Sequence, residues 1–267
     1  MRKYLSVFRI SFAQEFAYKI NFILWRVRNV LQIFLVFYLW DTVFQDPGRV
    51  VFGYDRAKIL TYVFAILVVK ALVLSARAVD VPGEISRGEV SNYLLKPIGY
   101  FKYWLTRDLS SKALNLSFAV FEFLLLYILL RPPIFVQTNP ILILAFIISI
   151  LLALLIFFTL LFTTGLVPFW VPEGAWGLQF MVIFVATEFL AGGLFPLDIL
   201  PESIQRVLFY TPFPYLIFFP IQVYLGKLSS PEILRGMVIA IFWATSLYLL
   251  MRNIWQRGLR VYQSHGR

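Results

Sequence analysis

The sequence predicts an all-α membrane protein. It has six transmembrane helices, an N-terminal interfacial helix, a helix-bearing polar loop between spans 2 and 3, and short re-entrant outer helices between spans 5 and 6. Three observations carry this. Of the 267 residues 60% are hydrophobic and only 14% are charged, against about 25% charged in an ordinary soluble domain. The apolar residues fall in runs of about 20, the length a helix needs to cross the hydrocarbon of a bilayer. The charges collect between those runs, above all in residues 79–112, where Arg87, Lys96, Lys102, Arg107 and Lys112 alternate with Asp80, Glu84, Glu89 and Asp108.

The whole chain, 1–267, reads as one domain. Residues 1–19 put Leu5, Phe8, Phe12 and Phe16 on one helical side, with Arg9 and Gln14 away from its centre, as in a helix lying along a leaflet. Span 1 covers about 21–44. Arg26 and Arg28 in its early half are long enough to snorkel to the headgroups. A loop with Asp46-Pro47-Gly48 as its turn signal leads to span 2, about 59–79, which Lys70 interrupts. The polar loop occupies 80–108, and Tyr100, Tyr103 and Trp104 fit an interfacial aromatic belt at its exit.

Span 3, about 109–130, contains Glu122 and stops at Arg131-Pro132-Pro133, because proline lacks the amide donor and blocks the preceding turn. Span 4, about 140–167, holds no charge. Pro168, Pro172, Glu173 and Gly174 then turn the chain into span 5, about 175–194. Residues 195–231 stay apolar, but Pro196, Pro201, Pro212, Pro214 and Pro220 forbid one straight helix. They read as two short pieces dipping into the membrane from one side. Irregular backbone at that depth must be enclosed by protein or water. Span 6 covers about 232–251, and a basic tail follows over 252–267.

Six spans place both termini on one side. The N-terminal segment, the loop with Arg77, and the tail together hold 14 Lys and Arg; the opposite side holds 7. Basic residues accumulate on the cytoplasmic side, so the termini and the central loop are predicted to be cytoplasmic. The same distribution accounts for the formal net charge of +10 without nucleic acid.

Catalytic and metal chemistry find no residues to carry them. There is no cysteine, and the one histidine, His265, lies in the tail. The sequence has no phosphate loop, nucleophile elbow, H-E-x-x-H motif or clustered carboxylates. No catalytic residue, metal or bound cofactor is expected, and the chain is not predicted to be an enzyme. Lys70, Glu122 and Glu188 are the conspicuous intramembrane charges, each costing a few kcal/mol unless paired or hydrated. Two arrangements are open. Depth along the helices favours a Lys70–Glu122 pair joining spans 2 and 3; alternatively, Glu188 beside Gly192-Gly193 lines a route through the membrane.

Two stretches resemble a known family. Residues 85–97, ISRGEVSNYLLKP, look like the segment before the third span of ABC-2 type permeases, the membrane subunits of ATP-binding-cassette exporters. Gly192-Gly193-Leu194-Phe195-Pro196-Leu197, then Leu200-Pro201 and Tyr210-Thr211-Pro212-Phe213, are similar to that family's outer motif. The resemblance implies a cytoplasmic coupling helix near 84–97 that fits a groove on a separate ATPase subunit. Arg87, Glu89 and Lys96 would form its rim, with Tyr93, Leu94 and Leu95 as a buried anchor; Glu84, Gly88, Asn92 and Pro97 complete the segment. It further implies ATP and Mg on that partner, a second permease copy (identical or paralogous), export of a substrate, a lipid environment, and placement in a bacterial cytoplasmic membrane. The alternative is a secondary transporter or channel that needs no ATP. That class relies on ion-coupling charges and an internal repeat, and no repeat is visible here.

Overall fold

The computed structural model describes residues 2–15, 19–46, 48–171 and 174–262. Expectations for Phe16, Pro47, Pro172, Glu173 and residues 263–267 lie outside the described residues. Within these the chain is helical, its β structure confined to an isolated bridge between Val51 and Tyr54. The first half holds α1 (Arg2–Glu15), α2 (Lys19–Val43), α3 (Arg56–Val73), a 3-10 turn (Arg77–Asp80), α4 (Val81–Ser86), α5 (Val90–Leu94) and α6 (Tyr100–Leu130). Then come α7 (Pro140–Thr164), α8 (Ala175–Phe180) continuing as a π-helix over Met181–Leu190, α9 (Glu202–Leu208), α10 (Phe218–Tyr224) and α11 (Ser230–Val261).

Local chemistry sets these boundaries. Asp55 starts α3 by accepting from Lys58 N at 2.7 Å, and Asn139 starts α7 by accepting from Ile141 N at 2.9 Å, ahead of Pro140 in the first turn. Ser229 and Glu232 cap α11 reciprocally. Arg131, at φ 45°, ends α6 where the two prolines follow.

Among the described residues, Tyr100–Leu130, Pro140–Phe169 and Ser230–Val261 are long and apolar enough to cross a membrane. A fourth candidate joins α3 to Arg77–Ser86 across a 50° bend, and Ala175–Leu190 is apolar but shorter. The surfaces of these helices are apolar: Ile128, Ile141 and Leu234 are each about two-thirds or more exposed, as is Leu35 on α2. Such faces suit hydrocarbon. The uncharged α7 forms the centre, packing against α11, α10 and α3.

The connections gather at two opposite ends. At one, α1 lies along α6, with Ser110 Oγ donating to Phe8 O at 3.0 Å, and Lys3 reaches Pro97 O. Tyr100 stacks on Trp255 with centroids 4.7 Å apart, and Phe169 meets both Trp255 and Tyr262. The N-terminal helix, the 74–99 loop and the end of α11 therefore share one end. At the other, Lys227 Nζ donates to Phe52 O at 2.9 Å, and Gln137 Nε2 to Tyr224 O at 2.8 Å.

Five expectations are corrected here. Span 2 does not run straight to 79: α3 stops at Val73 and the chain bends. α6 begins nine residues before 109, taking Tyr100, Tyr103 and Trp104 into its first turns. These rings are no belt, since Trp104 is fully buried and Tyr100 nearly so; Tyr100 stacks on Trp255 of α11, and Trp104 packs against Tyr100 and Tyr103. Span 5 stops at Leu190, where Gly192 and Gly193 leave helical geometry. The final helix continues through the first ten residues of the expected tail.

Candidate functional site

A cavity of ≈ 440 Å³ lies between α2, α3, α6 and the π-helix. Its inner part is an ion pair. Lys70 Nζ donates to Glu188 Oε1 at 2.8 Å and Oε2 at 2.7 Å, and Gln32 Nε2 adds a bond to Oε2 at 3.1 Å. The favoured Lys70–Glu122 pairing is thus overturned. Glu122 instead accepts from Arg26 Nη1 at 3.1 Å, while Arg26 Nη2 reaches Asn115 Oδ1 at 2.5 Å. Arg26 does not snorkel; its side chain is only 11% exposed. Residue counting yields depth along a helix but not the direction a side chain faces. The π-helix, whose i→i+5 hydrogen bonds span one residue more than those of an α-helix, further changes that direction for Glu188. Arg28, by contrast, is exposed, lines the cavity and lies over the Phe184 ring at 5.5 Å.

The cavity extends to the bend after α3, where Ser75, Arg77 and Val79 line it. That bend is held by two α6 residues that sequence reasoning counted only as loop charges. Lys112 Nζ donates to Val73 O at 3.1 Å and to Ser75 O at 2.5 Å, occupying carbonyls freed where α3 ends. Asp108 Oδ1 accepts from Arg77 N at 2.9 Å, at the start of the next turn. Lys112 Nζ and Asp108 Oδ2 lie 3.1 Å apart, both side chains almost fully buried. Their i,i+4 spacing inside an otherwise helical stretch was the signal available in the sequence.

The expected coupling helix over 84–97 is two short helices, α4 and α5, broken at Gly88. Its φ of 73° is the left-handed conformation that an L side chain resists. Glu84 faces inward, accepting from Tyr93 Oη at 3.0 Å and Tyr100 Oη at 2.9 Å. Tyr93 is half-buried against Tyr100 and Tyr103, so its ring packs within the chain. Arg87, Asn92, Lys96 and Pro97 are exposed, as are Leu94 at 52% and Leu95 at 87%. Arg87 Nε donates to Glu89 Oε1 at 2.7 Å. That bond holds the Glu89 carboxyl below its usual range and the guanidinium above its own.

At the far end, the proline-rich segment packs onto the helices around it. Gly192 has φ 83°, Tyr62 Oη donates to its carbonyl at 2.8 Å, and an added Cβ would lie 2.6 Å from that same oxygen. A Cβ on Gly193 would meet Thr187 O at 2.7 Å. Phe218 N then donates to Ala191 O at 3.0 Å. Pro196 and Pro212 are buried, Phe195 half-buried and Pro201 exposed. A polar cluster also missed from the sequence ties this segment to the loop before α3. Asp198 accepts from Tyr54 Oη at 3.1 Å and Lys227 Nζ at 2.8 Å, and Gln222 reaches the tyrosine oxygen.

Among the described residues no group of His, Cys, Asp and Glu could hold a metal ion. No curated protein and no solved structure matches the chain. A family model described as ABC-2 family transporter protein does, over residues 30–266. Membrane subunits of that family generally pair with ATPase subunits. With its apolar helices and the polar cavity between them, this chain belongs to the ABC-2 transporter family and is an integral membrane protein of permease type.

Proposed function

We propose that this chain is the permease subunit of an ATP-driven exporter, forming half of a translocation pathway energised by a separate ATPase. The observation that supports it best is continuity. Arg77 and Val79 line the cavity and stand at the bend leading directly into α4 and α5. A push on the loop therefore reaches the cavity through the bend that Asp108 and Lys112 hold.

On this reading the chain crosses the membrane six times, α2 and the Ala175–Leu190 helix included. The shared end carrying α1, the loop and the end of α11 faces the cytoplasm, in keeping with its excess of Lys and Arg. The exposed Arg87, Asn92, Leu94, Leu95, Lys96 and Pro97, with the half-buried Glu89, form the docking surface. Glu84 and Tyr93 hold its shape from beneath. Residues 195–231 close the pathway on the outer side, with Phe195, Pro196, Pro201 and Pro212 setting its turns. A second copy, or a paralogue, completes the pathway in a bacterial cytoplasmic membrane, and Mg-ATP binds the partner ATPase.

The test is co-purification from native membranes, followed by transport assays with the captured ATPase. Wild-type chain should retain an ATPase bearing a phosphate loop. The charge reversal Arg87→Glu should weaken retention about tenfold or more, by loss of a charged rim contact. Undiminished retention would remove the docking assignment. Transport by the purified chain without any ATPase would replace the reading with the secondary-transporter one.

A further inference from the structure

The last three turns of α11 carry a cationic face. Arg252, Arg257 and Arg260 are exposed, as are Asn253 and Gln256 between them. Among the described residues none of the three arginines is paired with a carboxylate. At 3.6 residues per turn all five side chains fall within an arc of about 140°. The buried stripe of Leu247, Met251, Trp255 and Gly258 lies opposite. That stripe fixes the helix. Trp255 stacks on Tyr100 with centroids 4.7 Å apart, and a Cβ added to Gly258 would lie 2.2 Å from Cδ2 of Phe169. So tight a contact keeps α11 from turning about its axis, and the arginines stay outward.

The same arc is apolar earlier in the helix. Val238, Phe242 and Leu249 lie on it, each more than half exposed. The face thus changes from apolar to cationic within one turn, between Leu249 and Arg252. A second element marks the same level. Trp170 is 49% exposed, and its ring lies 6.0 Å from that of Phe169, which is 5.7 Å from Trp255 and 5.8 Å from Tyr262. Exposed indoles beside an apolar helix surface settle at headgroup depth. From Arg252 to Arg260 the axis rises about 12 Å, enough to pass through the headgroup layer, which is about 5–8 Å deep on each side of the hydrocarbon.

We infer that this face binds the headgroup of an anionic phospholipid from the surrounding leaflet. Arg257 and Arg260, three residues apart, are neighbours on the helix surface and hold the phosphate through paired N–H···O bonds. Arg252 stands nearer the hydrocarbon and adds its charge to the same field. Asn253 and Gln256 donate to the remaining headgroup oxygens, and the acyl chains run along Leu249, Phe242 and Val238. A zwitterionic lipid offers the same phosphate with a cation beside it, so net charge makes the discrimination.

The full chain in neutral detergent is titrated with phosphatidylglycerol and, in parallel, with phosphatidylcholine, and bound lipids are counted by native mass spectrometry. Each basic residue near an anionic headgroup is worth about a fivefold factor, so the wild-type chain should prefer phosphatidylglycerol by about a hundredfold. Arg257→Gln/Arg260→Gln should lower that preference about twentyfold. Its phosphatidylcholine binding should be unchanged, which also shows that the variant is folded. The control Arg9→Gln/Lys102→Gln removes two exposed charges at the same end of the molecule and should keep most of the preference.

An equal loss in the control would replace the site with a diffuse positive surface and overturn the inference. Equal affinity of the wild-type chain for both lipids would overturn it as well. Glycerol phosphate bound as tightly as phosphatidylglycerol would make the ligand a free phosphate rather than a lipid. Loss of ATPase retention in Arg257→Gln/Arg260→Gln, with lipid preference intact, would assign the face to a protein partner instead. The lipid measurement needs no ATPase, so the site stands or falls separately from the proposed function.

Discussion

Lys112→Met strips the clamp at the end of α3. The substitution keeps the length of the side chain but removes the charge that faces Asp108, whose side chain is 1% exposed, and both bonds to Val73 O and Ser75 O. Removing one member of a buried ion pair costs about 3–5 kcal/mol, because the other charge stays buried without compensation. Asp108→Asn keeps an acceptor for Arg77 N and should cost a comparable amount, by stranding the ammonium. The double variant Asp108→Asn/Lys112→Met leaves no charge. It loses two carbonyl bonds at about 1 kcal/mol each, so it should cost about 2 kcal/mol against summed single costs of about 6–10 kcal/mol, a clear departure from additivity. Unfolding in mixed micelles by SDS titration, followed by tryptophan fluorescence, measures all three. In the ATPase complex, Lys112→Met should retain the partner while transport per ATP hydrolysed falls severalfold, because the bend no longer passes the push on. Single variants costing under about 1 kcal/mol, strict additivity, or unchanged coupling would each refute the clamp.

Three further outcomes follow from the same geometry. Lys70→Met alone should destabilise the chain more than Lys70→Met/Glu188→Met, by about 2 kcal/mol in the same micelle assay, since only the single variant strands a carboxylate. Gly88→Val forces a β-branched residue to a φ of 73°; it should cost about 1–2 kcal/mol and weaken ATPase retention, as the α4–α5 break loses its shape. The Glu89 carboxyl is held below its usual range, so its contribution is complete above the ordinary carboxylate pKa of about 4.3 and disappears only as pH falls through the lowered value. ATPase retention should therefore be level between about pH 7 and pH 5, and a loss centred near pH 6 would show that another group controls docking.

Much of the architecture was legible in the residues. Runs free of charge marked α7 and most of α6 and α11, because burying a charge in hydrocarbon is costly enough to shape composition directly. Prolines marked the breaks near 131 and 196. The loop between spans 2 and 3 stood out by charge density, and Leu94, Leu95 and Lys96 are exposed on it. Its interior did not stand out. Tyr93 was read as part of an anchor for a partner and Glu84 as a further member of the segment, although their polar atoms face Tyr100 and Tyr103 within the chain.

The sequence by itself determined which segments are apolar, where prolines break them, and which end gathers the basic residues. All of these depend on side-chain transfer energies and on bonding within a few residues. Only the tertiary structure decided that Lys70 joins Glu188, that Arg26 takes Glu122, that Lys112 holds the end of α3, and that Arg26, Lys70 and Glu188 line one cavity. Pairings of that kind depend on how each helix is rotated about its axis. A 50° bend and a π-helix set that rotation here, and neither follows from the order of the residues along a single helix.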